Sequence, residues 1–263
     1  MSPLNALEDS QPALPTEAGI YDYLRGGRHY TPADANAAEM ALEAAPETRF
    51  AAEENRRFLC RAVRHLARQG VCQYIDLGSG YLTGRQVHEV AGEIVPDPHV
   101  VYVDYDPRVA AANQRMLRER SYVAATTGDV RDPGSILADP AVTRLIDWSK
   151  PVAVLALAVF HFIKDAEDPL KIVAAFRERM ASGSHFVISH GSGGENREAA
   201  GDAGQAWENS RSTIVMREPG EIAEFFSGLE IAGPGIVTTS EWGTDAPAPA
   251  GQSVILCGVG RVP

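Results

Sequence analysis

The chain alternates between short apolar runs that end in glycine or aspartate and longer stretches in which apolar residues recur every three or four positions. The short runs predict buried strands, and the longer periodic stretches predict amphipathic helices. Because the two kinds of segment alternate, the pattern predicts an α/β fold with a mostly parallel sheet. The predicted strands cover residues 71–77, 99–104, 121–127, 152–157, 185–189, 231–242 and 252–259.

Helical patterns also precede the first strand, where they form an N-terminal helical extension. At Thr31 an N-cap residue, a proline and an aspartate in the first turn follow one another, which is typical of a helix start. The residues before the extension combine proline, serine and acids without periodicity. The sequence thus predicts a disordered tail (1–17), the extension or lid (18–69) and a domain (70–263) that forms one compact unit with it.

The last two predicted strands, 231–242 and 252–259, are separated only by a short proline-rich link. Antiparallel neighbours can be joined by a turn, whereas parallel neighbours need a crossover of a dozen or more residues. One of these strands is therefore expected to run against the others. The predicted sheet has seven strands and a terminal antiparallel hairpin.

The first strand leads into the most informative stretch of the chain, Asp76-Leu-Gly-Ser-Gly80-Tyr-Leu-Thr-Gly84. Gly78 and Gly80 allow the backbone to turn sharply and to approach a ligand closely. A strand, a glycine turn and a helix together open a nucleotide-binding βα unit. A dinucleotide fingerprint would place glycine or alanine at Thr83, but here the glycine comes one position later.

Asp76 helps to decide which nucleotide binds. A carboxylate beside the turn would repel a pyrophosphate and attract a cation. S-adenosylmethionine carries a sulfonium and an ammonium group and no phosphate, so Asp76 favours it over NAD. At the end of the second strand, Asp104 is placed to accept hydrogen bonds from ribose hydroxyls of either nucleotide. Tyr105 follows it, where an aromatic ring could lie against adenine.

Three motifs give the chain a resemblance to class I S-adenosylmethionine-dependent methyltransferases: Asp76-Leu-Gly-Ser-Gly80, Val103-Asp-Tyr-Asp-Pro107 and Gly128-Asp-Val130. More narrowly, it resembles an actinobacterial group of small methyltransferase-like proteins of largely unassigned function. That resemblance is carried by Tyr21-Asp-Tyr-Leu-Arg-Gly-Gly27, Ala44-Ala-Pro46, Asn55-Arg-Arg-Phe-Leu59, Val87-His-Glu-Val90 and Val159-Phe-His-Phe162. It implies a Rossmann-like class I methyltransferase fold, with S-adenosyl-L-methionine as cofactor and S-adenosyl-L-homocysteine as product.

The resemblance also implies roles for single residues. The Asp129 carboxylate would accept the adenine amine, and the N-terminal motif would lie over the cofactor, where Arg25 or Arg28 could pair with the methionine carboxylate. For the tyrosines of that motif, packing of the extension onto the domain is an equal alternative. The expected cofactor-binding residues are Tyr21, Arg25, Gly26, Asp76, Gly78, Ser79, Gly80, Asp104, Tyr105, Asp129, Val130 and Ala158.

The acceptor should lie beyond the carboxyl ends of the fourth and fifth strands, since ligands bind there in sheets of this kind. His161, which follows the fourth strand, is the candidate catalytic residue, either as a base or as an orienting group. The alternative for a lone histidine among apolar residues is a satisfied core histidine. The expected substrate-binding residues are His29, Phe160, His190 and Trp207.

The amino-acid composition limits the classes of partner that we expect for the protein. The net charge of −11 argues against nucleic acid, because phosphate binding needs a basic surface. Three cysteines lack ligand spacing, so no metal site is expected. The N-terminus has no apolar signal segment and no apolar run is long enough to span a bilayer, so we expect a cytoplasmic protein without a membrane partner. An arginine-rich face of the predicted helix 47–69 is either solvated or contacts an anionic partner or another subunit, which leaves a homodimer open.

The sequence thus predicts methyl transfer to an oxygen or nitrogen atom of a small molecule by in-line displacement. Such a reaction needs alignment, exclusion of water and sometimes a base, but no nucleophile motif in the protein. Two alternatives stay open. One is a non-catalytic S-adenosylmethionine-binding protein or sensor, and the other is an NAD-dependent oxidoreductase.

Overall fold

A computed structural model describes residues 14–193, 214–244 and 254–263 of the 263-residue chain. It confirms the predicted α/β fold with a single mixed sheet. The strands are Gln73–Leu77 (β1), His99–Asp104 (β2), Val123–Thr127 (β3), Ala153–Leu157 (β4), His185–Gly191 (β5), Glu230–Ile231 (β6), Val237–Thr238 (β7) and Ile255–Arg261 (β8).

The strand order is β3-β2-β1-β4-β5-β8-β6, and β7 also pairs with β8. Strands β1 to β5 are parallel, and β8 runs antiparallel to β5. The carboxyl ends of β1 to β5 therefore meet at one edge of the sheet, as the sequence predicts. The terminal antiparallel pairing is confirmed as well.

The prediction of one continuous strand over residues 231–242 is wrong. That strand is replaced by β6 and β7, which pair with opposite ends of β8 and so share one position in the sheet. Pro234 lies between them and has no N–H to donate to the ladder, and Gly233 and Gly235 surround it. Because of this interruption, the described residues form eight strands where the sequence predicts seven.

Helices cover both faces of the sheet. In the described residues they are Glu17–Leu24 (α1), Pro32–Ala44 (α2), Thr48–Arg68 (α3), Val87–Gly92 (α4), Pro107–Leu117 (α5), Pro133–Ala138 (α6), Pro140–Leu145 (α7), Pro169–Arg177 (α8) and Pro219–Glu224 (α9). On one face α3, α4 and α5 pack over Tyr74, Tyr102 and Leu155, and on the other face α6, α7 and α8 pack over Ile75, Val154 and Phe186. None of these helices is both long and apolar enough to cross a membrane.

Helix α1 corrects the expected boundary of the N-terminal tail. The helix begins at Glu17, and the hydroxyl of Thr16 caps it by accepting from the Gly19 N–H. Both Thr16 and Glu17 are buried, so they belong to the N-terminal helical extension rather than to a disordered tail. Residues 1–13 lie outside the described part of the chain.

One carboxylate joins the first two helices of the extension. Asp34, which is 2% exposed, accepts hydrogen bonds from the backbone N–H groups of Thr16 and Thr31, both at 2.7 Å. It also accepts from the Thr31 hydroxyl at 2.8 Å. A Cβ at Gly19 would lie 2.3 Å from this carboxyl group, so only glycine fits there. Helices α1 and α2 are therefore fixed to each other through Asp34.

Helix α3 attaches the extension to the C-terminal part of the chain. Arg61 donates from Nε to the Trp242 carbonyl at 2.7 Å and from Nη2 to the Thr239 carbonyl. The rings of Phe58 and His65 meet the Trp242 ring edge-on at 5.4 and 5.5 Å. The extension is thus packed onto the sheet and its last strands.

We predict that Asp34→Ala destabilises the protein by about 2–4 kcal/mol, because two helix starts lose a buried charged acceptor at once. Denaturant unfolding followed by circular dichroism would measure this. The matched control is Asp132→Ala, which removes the exposed carboxylate that caps α6 at the Ser135 N–H. A loss for Asp34→Ala no larger than that of the control would contradict the double cap.

Candidate cofactor and acceptor site

A cavity of about 230 Å³ lies where the carboxyl ends of the parallel strands meet helices α1 and α3. Beside β1, β2 and β3 its described lining is mainly polar and charged. Beside β4, β5 and β8 the lining is mainly apolar. The lining residues on the polar side include Glu17, Arg56, Asp76, Gly78, Ser79, Gly80, Asp104, Tyr105, Gly128, Asp129, Val130 and Arg131. Those on the apolar side include Leu157, Ala158, Val159, His161, Phe162, Ile163, Gly191, Ile214, Met216, Val254 and Ile255.

The glycine turn after β1 has the geometry that its sequence predicts. Gly78 and Gly80 have φ values of +61° and +59°, which favour glycine. A Cβ at Gly78 would also lie 2.6 Å from a methyl group of Val159. The turn is held to β2 by the Ser79 N–H, which donates to the Val103 carbonyl at 3.0 Å. The backbone of the turn therefore faces the cavity in a fixed conformation.

Asp76 is a buried carboxylate without a protein partner. It lines the cavity and is only 4% exposed. In the described parts of the chain, no hydrogen bond or ion pair reaches its oxygens. Burial raises the pKa of Asp76 to about 7, with Arg56 opposing the shift and Asp104 adding to it. A buried carboxylate of this kind is stabilised by a cationic ligand.

Asp104 lies at the end of β2 and is partly satisfied by the backbone. Its oxygens accept from the N–H groups of Gly80 at 2.8 Å and Asp106 at 3.0 Å. Burial raises the pKa of Asp104 to about 6, although these two hydrogen bonds oppose the shift. Asp104 also lines the cavity beside Tyr105, whose hydroxyl donates to Glu17 on helix α1.

The loop after β3 brings Asp129 and Val130 to the same side of the cavity. Arg131 binds both carboxylate oxygens of Asp129 and also Glu167, so its charge is already paired. Burial raises the pKa of Asp129, but the hydrogen bonds from Arg131 outweigh burial and hold that pKa below its ordinary value. Asp129 is thus ionised at neutral pH and available to accept a further hydrogen bond.

The N-terminal motif contributes Tyr21 and Leu24 to the cavity wall. Tyr21 lines the cavity, and its hydroxyl donates to the Ala52 carbonyl at 3.0 Å and accepts from the Asn55 amide at 3.1 Å. Asn55 in turn accepts from the Ser189 hydroxyl at 2.6 Å. This chain of hydrogen bonds connects α1, α3 and β5 around the cavity.

The other expected residues of that motif lie outside the cavity lining. The Arg25 guanidinium stacks over the Tyr21 ring at 5.8 Å from its centroid, and burial lowers the pKa of Arg25. Gly26 has a φ of +70° in the turn after α1. The His29 ring stacks on the Tyr81 ring at 4.9 Å. These contacts hold the extension in place, and they leave Arg25, Gly26 and His29 away from the described cavity wall.

Asp22, the second residue of the motif, explains why the motif needs a glycine at position 27. The buried carboxylate accepts from the His29 N–H at 2.7 Å and from the Thr83 hydroxyl in the loop after the glycine turn. A Cβ at Gly27 would lie 1.9 Å from an oxygen of Asp22. The motif therefore ties helix α1 to the loop that follows the glycine turn.

His161 lines the cavity from the turn after β4 and is 7% exposed. Its Nδ1 accepts a hydrogen bond from the Gly191 N–H at 3.2 Å, which places the ring proton on Nε2. Burial holds the pKa of His161 well below its ordinary value, and the neighbouring His190 and Arg217 add to the effect. The ring is therefore neutral, and no described residue bonds to Nε2.

Phe160 and His190, which the sequence predicts to contact the acceptor, are both fully buried and lie outside the described cavity lining. Phe160 stacks on Phe225 at 5.2 Å. His190 accepts from Arg217 at 2.8 Å and donates to the Gly191 carbonyl at 2.7 Å. Because side chains alternate along a strand, His190 points to the face opposite Ser189, away from α3. Trp207 lies outside the described residues.

The predicted site residues do not include Glu17 and Arg56, two charged residues of the cavity lining. Glu17 was assigned to the tail, although one of its carboxylate oxygens is buried without a partner beside Tyr105. Arg56 lies on α3, and it stands in the segment Asn55-Arg-Arg-Phe-Leu59, which already carried part of the family resemblance. That segment was the available signal for a functional helix.

Comparisons with known proteins agree with this site. A family model described as S-adenosyl methyltransferase matches residues 5–263. A DUF574 family protein from Streptomyces avermitilis is 33% identical with a TM-score of 0.90, and the match covers 95% of this chain and 98% of that one. A proposed methyltransferase from Thermobifida fusca is 35% identical with a TM-score of 0.90, and the match covers 95% of both chains.

A more distant structure shares the fold alone. The N-methyltransferase NodS from Bradyrhizobium japonicum, solved with S-adenosyl-L-homocysteine, is 12% identical with a TM-score of 0.51, and the match covers 93% of this chain and 99% of that one. No curated protein matches the sequence. Since the family model spans almost the whole chain, the protein belongs to the S-adenosyl methyltransferase family.

Proposed function

We propose that the protein transfers a methyl group to an oxygen or nitrogen atom of a small-molecule acceptor by in-line displacement. The observation that carries the cofactor assignment is the buried Asp76 carboxylate, which faces the cavity without a partner among the described residues. When bound, S-adenosylmethionine supplies a methyl group activated by its sulfonium. Asp76 lacks a positively charged partner, and the cationic end of the cofactor would supply one. The residues present therefore fit this cofactor.

The remaining polar residues complete a nucleoside site. We propose that Asp104 accepts hydrogen bonds from the ribose hydroxyls, since its carboxylate lines the cavity beside the glycine turn. The Tyr105 ring, Asp129 and Val130 lie on the same side, where they would contact adenine. A pyrophosphate would meet several carboxylates here, so the site disfavours NAD.

The apolar side of the cavity supports a small acceptor. Helices α1 and α3 cover the carboxyl edge of the sheet, and the wall near β4, β5 and β8 is built from side chains such as Phe162, Ile163 and Met216. Such a wall excludes water from the reacting atoms and aligns a small molecule. A wall of this kind favours catalysis over the shallow, open surface expected of a protein that only binds the cofactor.

We propose that His161 orients the acceptor rather than acting as a base. Its Nδ1 already accepts the Gly191 N–H, so the ring offers an N–H donor at Nε2. A donor cannot remove a proton, but it can fix the position of an acceptor oxygen or carbonyl.

We further propose a reducing, cytoplasmic location. The support is compositional, since Cys60, Cys72 and Cys257 are free thiols and occur without a disulfide partner among the described residues.

Titration calorimetry tests the cofactor site. We expect S-adenosylmethionine and S-adenosylhomocysteine to bind and NAD not to bind. Asp104→Ala should weaken both sulfur nucleotides about 10- to 100-fold, because two hydrogen bonds to a carboxylate are lost. Asp132→Ala, which removes an exposed carboxylate of α6, is the control and should bind as the wild type does. Binding of NAD alone would refute the proposal.

Binding of S-adenosylmethionine should depend on pH. The pKa values of Asp76, about 7, and Asp104, about 6, are those of the protein without ligand, and a cationic ligand favours the ionised carboxylates. Affinity should therefore be constant above pH 8 and fall as the pH drops through 7, by up to about tenfold per unit for each group.

Two controls separate the contributions to this pH profile. Asp76→Asn should bind more weakly and lose the change near pH 7. Neutral 5′-methylthioadenosine should show only the fall near pH 6, since it has no cationic end for Asp76 to bind. A pH-independent affinity of the wild type between pH 5.5 and 8 would contradict the assignment.

The protonation state of His161 can be measured without knowing the acceptor. We expect nitrogen NMR to show the neutral tautomer with the proton on Nε2, unchanged from pH 8 down to pH 5. The signal is assigned by its loss in His161→Gln. Protonation between pH 6 and 7, or a proton on Nδ1, would restore His161 as a candidate base.

A further inference from the structure

The methionine end of S-adenosylmethionine carries a carboxylate as well as its cationic groups, so its site needs a cation. The described cavity lining includes two guanidinium groups, those of Arg56 and Arg131. Arg131 is already paired with Asp129 and Glu167. That pairing leaves Arg56 as the cation available to a ligand among the described lining residues.

Arg56 is anchored at one nitrogen and uncommitted at the others. Its Nη2 donates to the Gln86 side chain at 2.9 Å and to the Arg85 carbonyl. Its Nε is buried without a partner, and within the described chain no carboxylate lies at ion-pair distance from the guanidinium. A guanidinium held in this way is preorganised to bind a carboxylate.

Neither arginine that the sequence suggested for this role is in position. The Arg25 guanidinium stacks on the Tyr21 ring, and Arg28 is exposed. Neither of them lines the cavity in the described structure. Arg56 and Asp76, in contrast, line the same cavity, and they interact electrostatically across it.

We propose that Arg56 binds the carboxylate of the methionine moiety, so that Arg56 and Asp76 together recognise the amino acid end of the cofactor as a zwitterion. This assignment rests on the proposed function. It makes the α-carboxylate a requirement for tight binding, which S-adenosylmethionine and S-adenosylhomocysteine both meet. A decarboxylated analogue retains both positive charges and loses only the group that Arg56 binds.

On helix α3, Arg56 lies between a residue that lines the cavity and one that faces solvent. Asn55, the preceding residue, is bonded to Tyr21 and Ser189. Arg57, the following residue, is exposed and pairs with the buried Glu54 of the same helix. Two adjacent arginines on one helix thus offer a test residue and a matched control.

The experiment is calorimetric titration of the full chain with S-adenosylmethionine and with decarboxylated S-adenosylmethionine. Arg56→Met should weaken S-adenosylmethionine about 10- to 100-fold, the loss expected for one charge-assisted pair. Binding of the decarboxylated compound should stay within about twofold of the wild type, which also shows that the variant is folded. Arg57→Met should leave both affinities unchanged.

Arg56→Lys retains the positive charge but not the fork of donors, so its affinity for S-adenosylmethionine should lie between those of the wild type and Arg56→Met. Equal losses for both ligands in Arg56→Met, or no loss for S-adenosylmethionine, would overturn the role of Arg56 and leave the proposed function intact. A wild type that binds neither ligand would overturn both proposals.

Discussion

The site depends on one unfavourable placement, the burial of the Asp76 carboxylate at the end of β1 without a partner among the described residues. Burying an ionised carboxylate costs several kcal/mol unless a countercharge compensates it. Arg56 relieves part of that cost through its field, while Asp104 increases it. A cationic ligand supplies the missing compensation, so the free energy that the fold loses at Asp76 becomes selectivity for that ligand.

The fold and the polar side of the cavity were predictable from the sequence, because hydrophobic runs set the strands and the motifs fall at the ends of parallel strands. The features that the sequence did not predict depend on contacts between residues far apart in the chain. Helix α1 is short, and its start is fixed by Asp34, 18 residues further along the chain. The cavity position of Arg56 depends on how α3 docks. His190 lies within β5 rather than after it, because the strand runs to Gly191, so its side chain takes part in the alternation along that strand.

Some residues of the N-terminal motif line the cavity, and others hold the surrounding structure in place. Tyr21 reaches the cavity, while Asp22 bonds to Thr83 and Arg25 lies over the Tyr21 ring. Sequence resemblance marks all of these positions equally, since it records which residues occur together and not which of them touch a ligand. Separating binding residues from supporting residues therefore required the side-chain contacts.

The bonds from Arg61 to Trp242 and Thr239 join residues that are 181 and 178 positions apart. During synthesis, helix α3 leaves the ribosome long before these partners exist, and contacts of such sequence separation form late because loop closure costs entropy. Helix α3 therefore gains its last anchors only when the chain is nearly complete. The bond between Asp22 and Thr83 spans only 61 positions, so α1 can dock on the loop after the glycine turn long before α3 is fastened to the end of the chain.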